Sequence, residues 1–156
     1  MTTPLRLVVQ RHETLPTEHA RPRVEISVRV PTDLDVVEEA VDLVARHCLA
    51  SGVSPRAARF VVRVVLCEAL ANAILYGNCL DPSKAIDVRV RVDDDGLELL
   101  VTDQGKGFDP ASLPDPTLDP ALASDRGRGL YLIRQLVDEV RFNDRGNAIC
   151  MIMHRA

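Results

Sequence analysis

The distribution of hydrophobic and polar positions divides the chain into strand and helix patterns from residue 23 onward. Between Arg23 and Val30, polar and apolar residues alternate strictly, which predicts a strand with one buried face. The same alternation over 86–92 and 97–101 predicts a hairpin, because the intervening Asp-Asp-Asp-Gly sequence favours a tight turn. A last hairpin is predicted over 140–153, turning at Asp-Arg-Gly-Asn.

Apolar residues at helical spacing predict three helices. The first begins at Thr32 or Asp33 and ends at Gly52. The second spans 54–77 and starts with a Ser-Pro pair, in which serine caps the helix and proline takes its first position. A shorter helix is predicted over 130–137.

The order of these elements predicts an α+β fold. Strand, helix, helix, hairpin, long loop, helix and hairpin suit a two-layer sandwich with helices on one face of a mixed, mainly antiparallel sheet. Residues 1–22 contain three prolines and no sustained period, so we expect an irregular N-terminal arm with a short strand at Leu5–Val9. The folded domain is then 23–156, long enough to bury a core.

Composition narrows the classes of function. A net charge of −4 argues against broad nucleic-acid binding, which needs a concentrated basic surface. Cys48 and Cys67 lie in apolar helical patterns, so we expect buried free thiols. No signal-peptide pattern opens the chain, and its apolar stretches are interpreted as too short to span a bilayer. We therefore expect a cytoplasmic protein without membrane association.

One face of the second predicted helix carries polar side chains among apolar ones. Glu68 and Asn72 are four residues apart, so both leave the same side of the helix. A carboxylate and an amide in an apolar stripe cost free energy unless a ligand or a buried partner satisfies them. Two interpretations stay open from the helix alone: both groups bind a ligand, or both reach solvent.

Two glycine-rich segments follow. The segment 103–108 (Asp-Gln-Gly-Lys-Gly-Phe) comes directly after an apolar strand, where a carboxylate can accept from a ligand's amine and glycines permit close backbone approach. The segment 126–130 (Arg-Gly-Arg-Gly-Leu) opens a predicted helix, whose free N–H groups and positive dipole end suit phosphate. Taken singly, each is equally explained by an ordinary turn or a flexible basic loop.

The nucleotide-binding motifs of several other folds are absent from the sequence. It contains no Walker loop, and it lacks the His-Arg-Asp and Asp-Phe-Gly elements of ordinary protein kinases. A dinucleotide site of the Rossmann kind is excluded because the glycines do not follow the first strand.

The three segments together resemble a known superfamily. Glu68–Ala73 (Glu-Ala-Leu-Ala-Asn-Ala), the segment 103–108 and Gly127–Leu130 are similar to the N, G1 and G2 boxes of the gyrase–Hsp90–histidine-kinase–MutL ATPases. The resemblance covers most of the chain from about Arg23. The compact size and the Tyr-Gly-Asn sequence at 76–78 resemble the bacterial anti-sigma-factor serine kinases.

This resemblance implies a site for ATP and Mg²⁺. Asn72 would give its side-chain oxygen to Mg²⁺, Asp103 would accept from the exocyclic amine of adenine, and Glu68 would act as general base toward a hydroxyl. The other residues that the resemblance implies as ATP-binding are Gly105, Gly107 and Phe108 beside the base and sugar, and Arg126, Gly127, Arg128, Gly129 and Leu130 around the phosphates.

Two positions depart from the pattern of the relatives. Ala71 stands where many of them carry a small hydroxyl residue, so a phosphate contact from that position is lost. Asn147 follows Gly146 where a Gly-Thr pair is common, which leaves an expected hydroxyl near adenine in doubt. The segment 109–125, rich in Pro and Asp, would be the lid, and its closure is not readable from the sequence.

The function implied is a serine/threonine kinase that phosphorylates an anti-sigma-factor antagonist of the STAS type and otherwise sequesters a sigma factor. We expect a homodimer that uses the N-terminal strand, whose edge would otherwise stay unpaired. The alternative is a regulatory module that binds ATP with little turnover; the presence of Glu68 favours the kinase. A fragment of a repair or chaperone ATPase fits the size less well, and a histidine kinase proper would need an acidic neighbour after His47.

The first predicted helix exposes a row of acidic side chains: Asp35, Glu38, Glu39 and Asp42. Two interpretations stay open, a solvated face and a docking surface for a basic patch.

Overall fold

The structure is a computed structural model that describes residues 5–12, 23–112 and 125–155. Six strands form one sheet in the order β1-β2-β3-β4-β6-β5, and every strand pair among the described residues is antiparallel. The strands are β1 (Arg6–His12), β2 (Arg23–Pro31), β3 (Ala85–Asp93), β4 (Gly96–Thr102), β5 (Glu139–Phe142) and β6 (Ala148–His154). The predicted α+β sandwich is confirmed.

The core lies between the sheet and one layer of helices. Strict alternation in β2, β3 and β4 sends every second side chain to that layer, as the sequence pattern predicted. Ile26, Val30, Ile86 and Leu99 are fully buried there. With aromatics at only 3% of the chain, aliphatic side chains supply nearly all of this packing.

The first helix begins with a capped short turn. Asp33 accepts a hydrogen bond from the Asp35 backbone N–H at 2.9 Å, which satisfies a donor at the start of the 3-10 turn Leu34–Val36. The helix α1 (Val37–Ala50) follows without a break. The predicted start at Thr32 or Asp33 is therefore close to the observed one.

The second helix runs through the middle of the helical layer. Its regular part, α2 (Val62–Asn72), is extended by one wide turn at each end, Ala57–Val61 and Ala73–Gly77. We call the continuous helix Ala57–Gly77 the central helix. It is long and apolar enough to cross a membrane by length and composition alone, so the interpretation that all apolar stretches are too short was wrong.

The central helix is apolar on two sides, and only one of them faces the core. The side toward the sheet is buried, with Val62, Leu66 and Leu70 fully enclosed. On the other side Cys67 is exposed. The prediction that Cys67 is a buried thiol was wrong because it followed the helix's overall apolar character rather than one face. Cys48 in α1 is buried as predicted, and burial raises the pKa of its thiol to about 12.

The N-terminal segment contributes an edge strand to the sheet. β1 pairs with β2 along its whole length, from Arg6 opposite Arg29 to His12 opposite Arg23. The expected short strand at Leu5–Val9 overlaps this strand. Residues 13–22, the remainder of the expected irregular arm, lie outside the described residues.

The third helix starts earlier than the sequence predicted. α3 spans Asp125–Leu136, so Gly127 and Gly129 lie in its first turns and not in a loop before Leu130. The expected loop leading into a helix is corrected here. The glycines are tolerated inside the helix because α3 packs closely on the central helix, and Gly129 lies against a side chain of that helix.

A buried asparagine joins the end of the central helix to two other segments. Asn78 is only 1% exposed. Its amide nitrogen donates to Thr32 Oγ1 at 3.0 Å and to the Ala85 carbonyl at 3.1 Å, and its oxygen accepts from the Gln104 backbone N–H at 2.7 Å. The loop after β4 is therefore held at a fixed position against the end of the central helix.

We expect Asn78→Ala to lower the free energy of unfolding by about 2–4 kcal/mol, because three buried partners lose their hydrogen bonds at once. Urea denaturation followed by far-UV circular dichroism measures this, since the chain has no tryptophan. The control is Gln135→Ala on the exposed side of α3, which should stay within about 0.5 kcal/mol of the wild type. Equal losses for both variants would contradict the structural role of Asn78.

Candidate nucleotide site

A pocket opens where the central helix, α3 and the ends of β4 and β6 meet. It encloses about 430 Å³ of empty volume, within the range of small-molecule sites. Its lining includes Asn72, Asp103, Phe108, Arg126, Leu130 and Asn147. The structure thus brings together members of all three sequence segments that the resemblance singled out.

The carboxylate of Asp103 lies half-buried at the end of β4. Its Oδ1 accepts from the Gly105 backbone N–H at 2.8 Å. The backbone of Gly77 lies so close that a Cβ at that position would collide with the Asp103 carboxylate, and a Cβ at Gly105 would collide with the Gly77 carbonyl. Two glycines therefore make room for the acidic group between the central helix and the loop.

Asn147 holds the backbone of Asp103 from the opposite side. The Asn147 side chain donates to the Asp103 carbonyl at 2.9 Å, and the Asp103 N–H donates to the Asn147 carbonyl at 2.9 Å. Asn143 completes the arrangement by donating to the Asn147 side-chain oxygen at 2.6 Å. The position where a hydroxyl was in doubt therefore carries an amide that fixes the main chain of Asp103.

Burial raises the pKa of Asp103 above that of an ordinary aspartate. The hydrogen bond from Gly105 and the positive charges of Arg126, Arg145 and Lys84 oppose this shift but do not cancel it. A carboxylate with part of its hydration removed and an open pocket before it can gain from a hydrogen-bond donor supplied by a ligand.

Glu68 and Asn72 meet α3 at Gly129. A Cβ built on Gly129 would lie 2.5 Å from Glu68 Oε2 and 3.7 Å from Asn72 Nδ2. Both polar side chains are half-buried, and Asn72 lines the pocket while Glu68 lies one helical turn before it. Of the two interpretations left open by the sequence, the one that directs them to a common site agrees with this geometry.

The glycine loop after β4 interlocks with the β5–β6 turn. Gly107 has φ +83° and Gly146 has φ +72°, a region that favours glycine. A Cβ on Gly107 would collide with the Arg145 carbonyl, and a Cβ on Gly146 would collide with the Phe108 carbonyl. The two segments therefore pack backbone against backbone, which fixes Phe108 in the pocket wall.

Arg126 at the start of α3 reaches into the pocket between two aromatic rings. Its guanidinium carbon lies 3.5 Å from the centroid of Phe108 and 5.4 Å from that of Tyr76. Burial lowers the pKa of Arg126, while the charge of Asp103 acts in the opposite direction. Its buried Nε has no hydrogen-bond partner within the described part of the chain.

The other expected residues differ in position. Leu130 is buried in the pocket lining, whereas Arg128 is exposed, two residues and about 200° around the helix from Arg126. Gly105, Gly107 and Gly129 shape the walls by close packing. Gly127 is buried in the first turn of α3.

Sequence reasoning missed Asn78, Asn143, Tyr76 and Arg145 as parts of the site's framework. Arg145 donates to the Gly105 carbonyl at 3.2 Å. A signal was present for Asn78, because an asparagine directly after an apolar helix ending in glycine suits a buried cap. The contacts of the others join segments far apart in the chain, so no local pattern revealed them.

Comparison with known proteins agrees with this geometry. The model of the histidine kinase-like ATPase domain matches residues 30–153. The chain belongs to this family. Within the wider gyrase–Hsp90–histidine-kinase–MutL group it is close to the anti-sigma kinases, as the three boxes predicted.

Three relatives illustrate the similarity. The serine-protein kinase RsbW of Bacillus licheniformis is 36% identical over 100 residues, and that of Bacillus subtilis (strain 168) is 32% identical over 99 residues. Each match covers 58% of this chain and 61% of the relative. An anti-sigma F factor of Anoxybacillus flavithermus (strain DSM 21510 / WK1) is 29% identical over 99 residues, covering 60% of this chain and 67% of the relative.

The pocket suits Mg²⁺ held together with a nucleotide. Among the described residues, no group of three or more His, Cys, Asp or Glu side chains could hold a metal ion. Mg²⁺ does not require such a cage, because it usually keeps several waters and binds substrate phosphates. A single amide oxygen from Asn72, with Glu68 one turn away, fits this mode of binding.

We expect the stability of wild type relative to Asp103→Asn to increase as pH falls from 7 to 4. The raised pKa means that the folded chain takes up a proton at Asp103 before the unfolded chain does, so its folding cost is present above the folded pKa and is relieved below it. Urea denaturation of both proteins across this pH range measures the difference. A pH-independent difference would contradict the burial of the charged group.

Proposed function

We propose that this protein is an ATP-dependent serine/threonine protein kinase of the anti-sigma type. The observation that carries the proposal is the convergence of Glu68, Asn72 and Gly129 at one side of a pocket whose other side holds Asp103. A carboxylate able to take a proton, an amide able to bind a hard cation and a carboxylate able to accept from an amine are arranged around one cavity.

Asp103 orients the base in this proposal. Its carboxylate accepts a hydrogen bond from the exocyclic amine of adenine, and Phe108 and Arg126 line the pocket beside it. Asn147 and Gly105 keep Asp103 in position through the hydrogen bonds described above. Binding by a half-buried acceptor selects a ligand with a donor, because an acceptor left unpaired costs free energy.

Asn72 binds Mg²⁺ through its side-chain oxygen, and the ion, when bound, neutralises charge on the phosphates. Arg126 and the first turn of α3 supply positive potential near the same region. Glu68 accepts the proton of the attacking serine or threonine hydroxyl. The hydroxyl oxygen forms a bond to the γ-phosphorus while the bond to the β–γ bridging oxygen breaks, leaving ADP and a phosphorylated partner.

The protein partners in this proposal are an anti-sigma-factor antagonist of the STAS type, which receives the phosphate, and a sigma factor, which the chain sequesters. The printed names of the relatives, serine-protein kinase RsbW and anti-sigma F factor, support both roles. The chain is proposed to work as a homodimer, without direct contact to nucleic acid or membrane.

The second candidate is a regulatory module in which ATP sets partner affinity and little phosphate is transferred. The proximity of Glu68 to Gly129 and Asn72 favours the kinase, because a module that only binds ATP has no need for a carboxylate beside the phosphate region.

We expect Glu68→Gln to bind Mg-ATP within about twofold of the wild type and to transfer phosphate at least about 100-fold more slowly, because only proton transfer is impaired. Binding is measured by isothermal titration calorimetry. Transfer is measured with γ-labelled ATP and each STAS-type protein of the source organism. Transfer at the wild-type rate would exclude Glu68 as the base, and a wild type that binds ATP but labels none of these proteins would leave the regulatory module.

We expect Asn72→Ala to weaken ATP binding at least about tenfold in the presence of Mg²⁺ and much less in EDTA, because the lost oxygen contacts the ion and not the base. The same calorimetric titration in both buffers measures this. Gln135→Ala serves as the control and should match the wild type in each. Equal losses in both buffers would show that Asn72 does not act through Mg²⁺.

A further inference from the structure

The outer side of the central helix carries an apolar stripe that no described element covers. Five residues with spacings of four, three, four and four lie on this side: Phe60, Val64, Cys67, Ala71 and Leu75. We call them the outer stripe. Phe60 is 51% exposed and Leu75 37%, and the stripe extends about 22 Å at 1.5 Å per residue. A continuous exposed apolar surface of this kind marks an interaction site.

The stripe has a basic end. Arg56 and Arg59, both exposed, lie beside Phe60 at the N-terminal end of the central helix. This is a local excess of positive charge on a chain whose net charge is −4.

The opposite end of the same side is acidic. α1 runs antiparallel to the central helix, because Arg63 pairs with Asp42 at 2.8 Å while Thr32, before α1, bonds to Asn78 after the central helix. One to two turns before Asp42, the exposed Asp35, Glu38 and Glu39 therefore lie beside the C-terminal half of the central helix. The acidic row that the sequence left open is next to the outer stripe.

Between the two ends, the charges are already balanced within the chain. Asp42 pairs with Arg63 at 2.8 Å and with Arg46 at 3.0 Å. The hydrogen bond from Arg63 and the charges of both arginines lower the pKa of Asp42. The face formed by α1 and the central helix is thus basic at one end, neutral in the middle and acidic at the other.

We propose that this face is a homodimer interface in which a second copy of the chain packs its central helix antiparallel along the outer stripe. A two-fold axis near Val64 places Arg56 and Arg59 of each copy opposite Asp35 and Glu39 of the other. A face with opposite charges at its ends and apolar residues along its length is complementary to itself after such a rotation. The proposal does not depend on kinase activity, and the interface is distinct from the β1 edge.

The axis position is tested by cysteine cross-linking in a chain that carries Cys67→Ser and Cys79→Ser. We expect Val64→Cys in this background to form a disulfide-linked dimer under mild oxidation, because equivalent residues approach each other most closely at a two-fold axis. Ala71→Cys in the same background is the matched control and should cross-link at least about tenfold more slowly, since the two copies of residue 71 lie far apart in an antiparallel pair.

The charge pairing is tested by sedimentation equilibrium of the full chain. Arg59→Glu and Glu39→Arg should each raise the dimer dissociation constant at least about tenfold, and the double variant should recover most of the loss. Phe60→Glu should raise it as much with no recovery by Glu39→Arg. Val8→Glu on exposed β1 is the control for the sheet edge and should leave this equilibrium unchanged.

Three outcomes would overturn the proposal. The first is a wild type that remains monomeric up to about 100 µM, which would leave the outer stripe to a different protein. The second is a dimer unaffected by Phe60→Glu and sensitive to Val8→Glu, which would place the interface at β1. The third is faster cross-linking through residue 71 than through residue 64, which would exclude the antiparallel arrangement.

Discussion

The half-buried carboxylate of Asp103 is the constraint around which the candidate site is built. Burial disfavours its charged form, and the chain offsets this with the Gly105 N–H and with three cations nearby. Space for the carboxylate depends on glycine at 77, and its main chain is held by Asn147. Substitution at any of these positions therefore changes the acceptor that faces the pocket, even without touching a ligand.

The central helix serves several purposes with different faces. Its inner face supplies the middle of the core, its side toward α3 carries Glu68 and Asn72, and its outer face carries the stripe from Phe60 to Leu75. Because these faces share one rigid element, a contact on the outer stripe lies within one helical turn of the pair at the pocket. Partner binding and nucleotide binding are thus expected to be read out by the same helix.

The sequence predicted those parts of the molecule in which a local period reflects burial. Alternation in β2, β3 and β4 located the sheet, and the glycine segments located the pocket because glycine patterns mark close approach. It failed where one composition serves two faces, as at Cys67, and where packing extends a helix through glycines, as at Gly129. The framework hydrogen bonds of Asn78 and Asn147 connect residues up to 46 positions apart, a distance at which no single-sequence pattern operates.

The chain of hydrogen bonds from Thr32 through Asn78 to Gln104 has an evolutionary consequence. Replacing Asn78 alone leaves buried groups unpaired, so the three positions are expected to change together during divergence. The register of Asp103, the residue next to Gln104, would then be inherited with a threonine that precedes the first helix. Variation at Thr32 among homologues should accordingly follow the identity of residue 78 more closely than that of its own neighbours in sequence.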